Sequence, residues 1–73
     1  MRKVYRMENL DCANCAAKME RAIQKIRGVS EAEVSFMAQK LVLECEEAKL
    51  AEILEQVKLC VAKVDRNCKV IGI

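Results

Sequence analysis

Val29-Ser30-Glu31-Ala32-Glu33-Val34-Ser35-Phe36, then Met37-Ala38-Gln39-Lys40, then Leu41-Val42-Leu43-Glu44-Cys45, is the stretch that decides the fold. The first segment alternates strictly, with Ala32, Val34 and Phe36 directed inward and Glu31 and Glu33 outward, which is the period of a half-buried strand. Met37 to Lys40 is a polar connection of hairpin length, and Leu41 to Cys45 returns as a second β-rich run. Two antiparallel neighbours are therefore expected at the centre of the chain.

Outward from this hairpin, both flanks switch to a helical period. Upstream, from about Asn14 to Arg27, Cys15, Ala16, Met19, Ala22, Ile23 and Ile26 share one side while Lys18, Arg21 and Lys25 occupy the other. Gly28 reads as the C-cap of that helix and Asp11 as a candidate N-cap. Downstream, from near Glu47, Leu50, Ile53, Leu54, Val57, Val61 and Val64 keep one apolar stripe until Asp65-Arg66-Asn67 breaks it. At the margins, Lys3 to Asn9 alternates, with Tyr5 and Met7 on one face and Arg6 and Glu8 on the other. Cys68 to Ile73 reads as a last, β-branched strand weakened by Gly72. The resulting order, βαββαβ, predicts an α+β ferredoxin-like sandwich, with two helices on one face of a four-stranded antiparallel sheet.

Composition narrows the function classes. A chain of 73 residues makes one small domain, expected over 1–73, that buries only about 60% of its unfolded surface. Thirteen Lys and Arg stand against eleven Asp and Glu, so no basic block marks a nucleic-acid or membrane binder. One Tyr, one Phe and no Trp leave no platform on which bases could stack. Arg2-Lys3-Val4-Tyr5-Arg6-Met7-Glu8 is too charged for a signal-peptide core, and no apolar run approaches the roughly 18 residues of a membrane span. An odd number of cysteines, five, without a secretory leader points to reduced thiols in a cytoplasmic, reducing compartment.

Asp11-Cys12-Ala13-Asn14-Cys15 carries the chemistry. A Cys-x-x-Cys pair serves structural zinc, redox disulfides and metal carriers alike. Here Cys12 falls on a loop and Cys15 near a helix N-terminus, where free amides and the helix dipole favour thiolates. Alternating element directions place the loop after the first strand, the central hairpin and the loop before the last strand at one end. Cys12, Cys15 and Cys68 should share that end, whereas Cys45 should lie at the other. Cys60 flanks the second helical stripe and reads as core, and Cys45 as a structural or surface thiol. Met7 and Met19 fit apolar faces, while Met37 lies in the hairpin at the thiol end and could shield it. A thiol-disulfide oxidoreductase fits poorly, since the chain has no proline to face the motif and no histidine to serve as general base.

Asn9-Leu10-Asp11-Cys12-Ala13-Asn14-Cys15-Ala16-Ala17-Lys18-Met19-Glu20, followed by Gly28-Val29 and the βαββαβ order, resembles the heavy-metal-associated domain. That family includes small metallochaperones and the cytosolic N-terminal modules of heavy-metal P-type ATPases. Its pattern, Gly-Met-x-Cys-x-x-Cys, is met here with Asn9 and Leu10 in place of Gly-Met, which makes Leu10 the apolar anchor beneath the loop. The resemblance implies metal binding by Cys12 and Cys15 and no catalysis by the isolated domain. An Asp before the first cysteine is similar to the zinc, cadmium and lead transporters, so Zn(II), Cd(II) or Pb(II) is favoured as cargo, with Cu(I) as the alternative. Asp11 has two readings, ligand or helix cap, and so has Cys68, third thiolate or core residue. The implied partner is the membrane-embedded part of such an ATPase or a related metal-binding domain. The chain's end at the last strand suits a module cut from something longer, a free-standing chaperone being the alternative. A monomer is expected, with a metal-bridged dimer left open.

Overall fold

In the computed structural model, which describes residues 1–71, the elements run β1 (Arg2–Glu8), α1 (Ala13–Gln24), β2 (Val29–Ser35), β3 (Lys40–Cys45), a 3-10 turn (Glu47–Lys49), α2 (Leu50–Val64) and β4 (Lys69–Ile71). The sheet order is β2-β3-β1-β4, with every neighbouring pair antiparallel. Both helices pack on one face, which is the expected ferredoxin-like sandwich. The expected extension of β4 through Gly72 and Ile73 lies outside the described residues.

The core lies between that face and the helices. Met7, Leu41 and Leu43 from the sheet meet Met19 and Ile23 of α1 and Ile53, Val57 and Val61 of α2, all at most 2% exposed. Each such side chain contributes about 1.5–3 kcal/mol by leaving water, so the apolar stripes alone account for the assembly of the layers. Leu10, also 2% exposed, joins this core from the β1–α1 loop, as expected for the anchor beneath the thiols.

Two helix ends differ from the sequence reading. Asp11 does not cap α1: Cys12 holds the extended N-cap conformation, and its sulfur accepts the Cys15 N–H. At the other end, α1 stops at Gln24 with Lys25 as its cap, so Gly28 is not a C-cap. Instead the Val29 N–H donates to the Ile26 carbonyl at 3.2 Å, and Gly28, with φ +99°, takes the turn position that favours glycine. Tight packing adds to this, since a Cβ at Gly28 would approach Ile53 Cδ1 to 3.1 Å.

The β2 edge is occupied by α1. Glu20 accepts the Val34 N–H at 2.9 Å, and the Gln24 amide donates to the Ala32 carbonyl at 3.0 Å. Two backbone groups on the outer edge of the sheet are thereby satisfied by side chains, which blunts an edge that would otherwise pair with another strand. Asp65 ends α2 in extended conformation and accepts the Asn67 N–H at 2.9 Å, while the Cys68 N–H donates to the Asp65 carbonyl at 3.2 Å. That Asx turn brings the chain from α2 into β4 beside the thiol loop.

Candidate metal centre

The loop from Asn9 to Cys12 connects the end of β1 to the first turn of α1. Asn9 has φ +62°, a left-handed conformation that glycine adopts freely and asparagine tolerates better than other side chains. The replacement of the family's glycine by Asn9 therefore preserves the turn. It also adds a contact, because the Asn9 amide donates to the Asn67 carbonyl at 3.0 Å. Leu10 follows and drops into the core, which leaves Asp11 exposed and Cys12 and Cys15 half-buried at the head of α1.

Spacing places the two thiols together. With Cys12 as N-cap and Cys15 in the first turn, the Cys15 N–H donates to Cys12 Sγ at 3.3 Å, and the Ala16 N–H donates to the Cys12 carbonyl at 3.0 Å. The hydrogen bond from the Cys15 thiol lowers the Cys12 pKa, and the backbone N–H groups of Cys15 and Asn14 lower it further. Cys15 moves the opposite way: the hydrogen bond it donates to Cys12 raises its pKa, and desolvation and the Cys12 charge add to the rise. A sulfur that loses its proton more readily, with a second sulfur beside it, is the arrangement of a nucleophile paired with a second donor.

The third cysteine at this end is set deeper. Cys68 is 4% exposed and belongs to the core, as one of its two readings holds. Burial raises its pKa first, and the charges of Asp65, Asp11 and Cys15 raise it further; those same influences locate it near the thiol loop. Among the described residues no three Cys, Asp or Glu side chains converge closely enough to hold an ion together. The structure thus brings Cys12 and Cys15 together, with Asp11 and Cys68 adjacent but outside a shared cluster. Met37 is 89% exposed and stands in solvent rather than over the thiols.

Cys45 lies at the opposite end, 3% exposed, and Cys60 is half-buried against the core from α2. The residues that hold the thiol loop carry no signal in the sequence pattern. Gln39 reads as an ordinary polar hairpin residue, and Asn67 as a helix breaker. No described helix is long and apolar enough to cross a membrane.

Three comparisons bear on this geometry. A probable cadmium-transporting ATPase of Listeria monocytogenes is 55% identical over 38 residues, 52% of this chain and 5% of that protein. A probable cadmium-transporting ATPase of Alkalihalophilus pseudofirmus is 35% identical over 69 residues, 89% of this chain and 10% of that protein. The chain therefore spans a tenth or less of these relatives' lengths. Among solved structures, the N-terminal domain of a potential copper-translocating P-type ATPase from Bacillus subtilis, in its Cu(I)-loaded state, superposes with a TM-score of 0.75 at 27% identity, covering 97% of this chain and 86% of that one. The sequence profile of the heavy-metal-associated domain matches residues 4–63. With that match running from within β1 to the last turn of α2, the chain belongs to the heavy-metal-associated domain family.

Proposed function

We propose that Cys12 and Cys15 capture a soft divalent ion, Zn(II), Cd(II) or Pb(II), and that the domain delivers it to, or regulates, the membrane-embedded part of a heavy-metal P-type ATPase of which it is the N-terminal cytosolic module. The observation that carries this reading is the pairing of Cys12 and Cys15 at the head of α1, where the Cys15 N–H donates to Cys12 Sγ at 3.3 Å and the Cys12 pKa is lowered. Both sulfurs are half-buried, so an ion can reach them, and both would be thiolate when bound, with release of protons. Delivery then follows by exchange of thiolates between this loop and a second set of sulfur ligands.

Asp11 and Cys68 are the candidates to complete the shell. Because Cys12 caps α1, Asp11 is not committed to that role, and its exposed carboxylate suits a divalent ion better than Cu(I). Cys68 would have to turn out of its packed position to ligate. The cadmium-transporting relatives support the divalent reading. The Cu(I)-loaded neighbour from Bacillus subtilis favours a second one, a Cu(I)-binding module or free metallochaperone using the same two sulfurs.

Anaerobic titration of the reduced protein with cadmium, followed by sulfur-to-metal charge-transfer absorption, tests both. Two thiolates per ion in the wild type, none retained at high affinity in Cys12→Ala or Cys15→Ala, supports the site. A count of three that falls to two in Cys68→Ser adds Cys68 to the shell; a count of two in both returns it to the core. Loss of cadmium affinity in Asp11→Ala with Cu(I) affinity retained supports the divalent cargo, and unchanged affinity for both metals removes Asp11 from the shell.

A further inference from the structure

We propose that Gln39, on the hairpin between β2 and β3, is the positioning residue of the thiol loop, an inference that rests on the metal-binding reading above. Gln39 is 29 residues from Leu10 in sequence, yet its side-chain amide grips the Leu10 peptide from both sides. The Leu10 N–H donates to Gln39 Oε1 at 3.3 Å, and Gln39 Nε2 donates to the Leu10 carbonyl. The same Nε2 donates to the Phe36 carbonyl at 2.8 Å, which fixes the amide within its own turn. The Gln39 backbone carbonyl also accepts the Met7 N–H at 2.8 Å, so the hairpin is tied to the last residues of β1 as well.

A side chain that supplies one acceptor and one donor to a single residue imitates a neighbouring strand. β1 ends at Glu8, and Gln39 continues its pairing two residues further, up to the peptide that precedes Asp11 and Cys12. On the far side, the Asn9 amide reaches the Asn67 carbonyl. The loop is thereby held between the hairpin and the α2–β4 turn, with Leu10 buried beneath it. Gln39 keeps this grip in a left-handed conformation, φ +54°, which costs free energy for a residue with a Cβ. A glycine would relieve the backbone but could not hold Leu10, so the local structure is strained at a residue whose side chain serves the loop.

The consequence is preorganisation. A loop already fixed before the ion arrives loses less conformational freedom on binding, and residues that orient the ligands without touching the metal typically affect metal affinity by about 10–100-fold. Gln39 touches neither sulfur; it acts through the backbone of Leu10.

Two variants separate positioning from folding. Gln39→Met keeps the length of the side chain and removes its hydrogen bonds; Gln39→Gly removes the side chain and relieves the positive φ. In both, amide hydrogen exchange of the metal-free protein is expected to speed up about tenfold or more at Leu10, and cadmium affinity measured by chelator competition to fall about tenfold. The thermal midpoint of Gln39→Gly should be held or raised while its affinity falls, a split that a merely structural role would not produce. Unchanged Leu10 exchange or unchanged cadmium affinity in Gln39→Gly overturns the inference. Absence of thiolate-to-cadmium absorption in the wild type would instead defeat the metal-binding reading, and the exchange result at Leu10 stands apart from it.

Discussion

Cys12 and Cys45 sit at opposite ends of the same sheet, and their surroundings give two identical side chains different chemistry. At the Cys45 end the chain closes on itself: the Met1 ammonium donates to the Cys45 carbonyl at 3.0 Å, the Cys45 N–H donates to the Met1 carbonyl at 3.0 Å, and Ser30 Oγ donates to the Glu44 carbonyl at 3.0 Å. The backbone is paired there, and the thiol points into the core. At the Cys12 end the backbone pairing has run out, and the amides of a helix N-terminus face the sulfur. A cysteine with its surroundings satisfied behaves as a small hydrophobe; one facing N–H donors and solvent gives up its proton more readily.

The comparison breaks most sharply if the two ends respond alike to loss of sulfur. Cys12→Ala or Cys15→Ala should weaken cadmium binding by at least about 100-fold, since the roughly 10–16 kcal/mol of a thiolate-rich site is shared among few ligands. The apo thermal midpoint should barely move, because the core is built from the apolar stripes; an unfolded variant by circular dichroism would make the site structural instead. At the other end, Cys45→Ser should cost about 1–3 kcal/mol in denaturant unfolding by burying a hydroxyl among apolar neighbours, with the cadmium stoichiometry untouched.

Gly28 sharpens the same contrast, since it lies beside Cys45 and away from the thiols. Gly28→Ala should cost about 1–2 kcal/mol, from the positive φ and the close approach of Ile53, and leave metal affinity unchanged. The smallest effect is a difference in rate. With the Cys12 pKa lowered and the Cys15 pKa raised, limiting iodoacetamide near neutral pH should label Cys12 before Cys15, and peptide mass mapping reads the order. The same shifts set the sign of the pH dependence: Cys15 must release its proton to bind, so cadmium affinity should rise by about tenfold per pH unit for that proton up to the raised Cys15 pKa.

The contrast between the ends was partly visible before folding. Alternating element directions place Cys12, Cys15 and Cys68 away from Cys45, and the structure does the same. What the pattern missed lies in the details of capping and grip. Asp11 is the better cap by residue preference, yet Cys12 occupies that position, because Leu10 enters the core and sets where the helix begins. Gly28 looks like a helix stop and instead forms the following turn, since α1 ends at Gln24, where its side chain bonds β2.

The order of strands and helices, the apolar faces and the Cys-x-x-Cys at a strand-to-helix junction were determined by the sequence itself, because periods of two and 3.6 residues are local properties of the backbone. The grip of Gln39 on Leu10, the bond from Asn9 to a carbonyl 58 residues away and the burial of Cys68 were decided only by tertiary structure. Such contacts depend on where whole elements come to rest once the core has packed, and no local periodicity encodes which distant peptide a side-chain amide will meet.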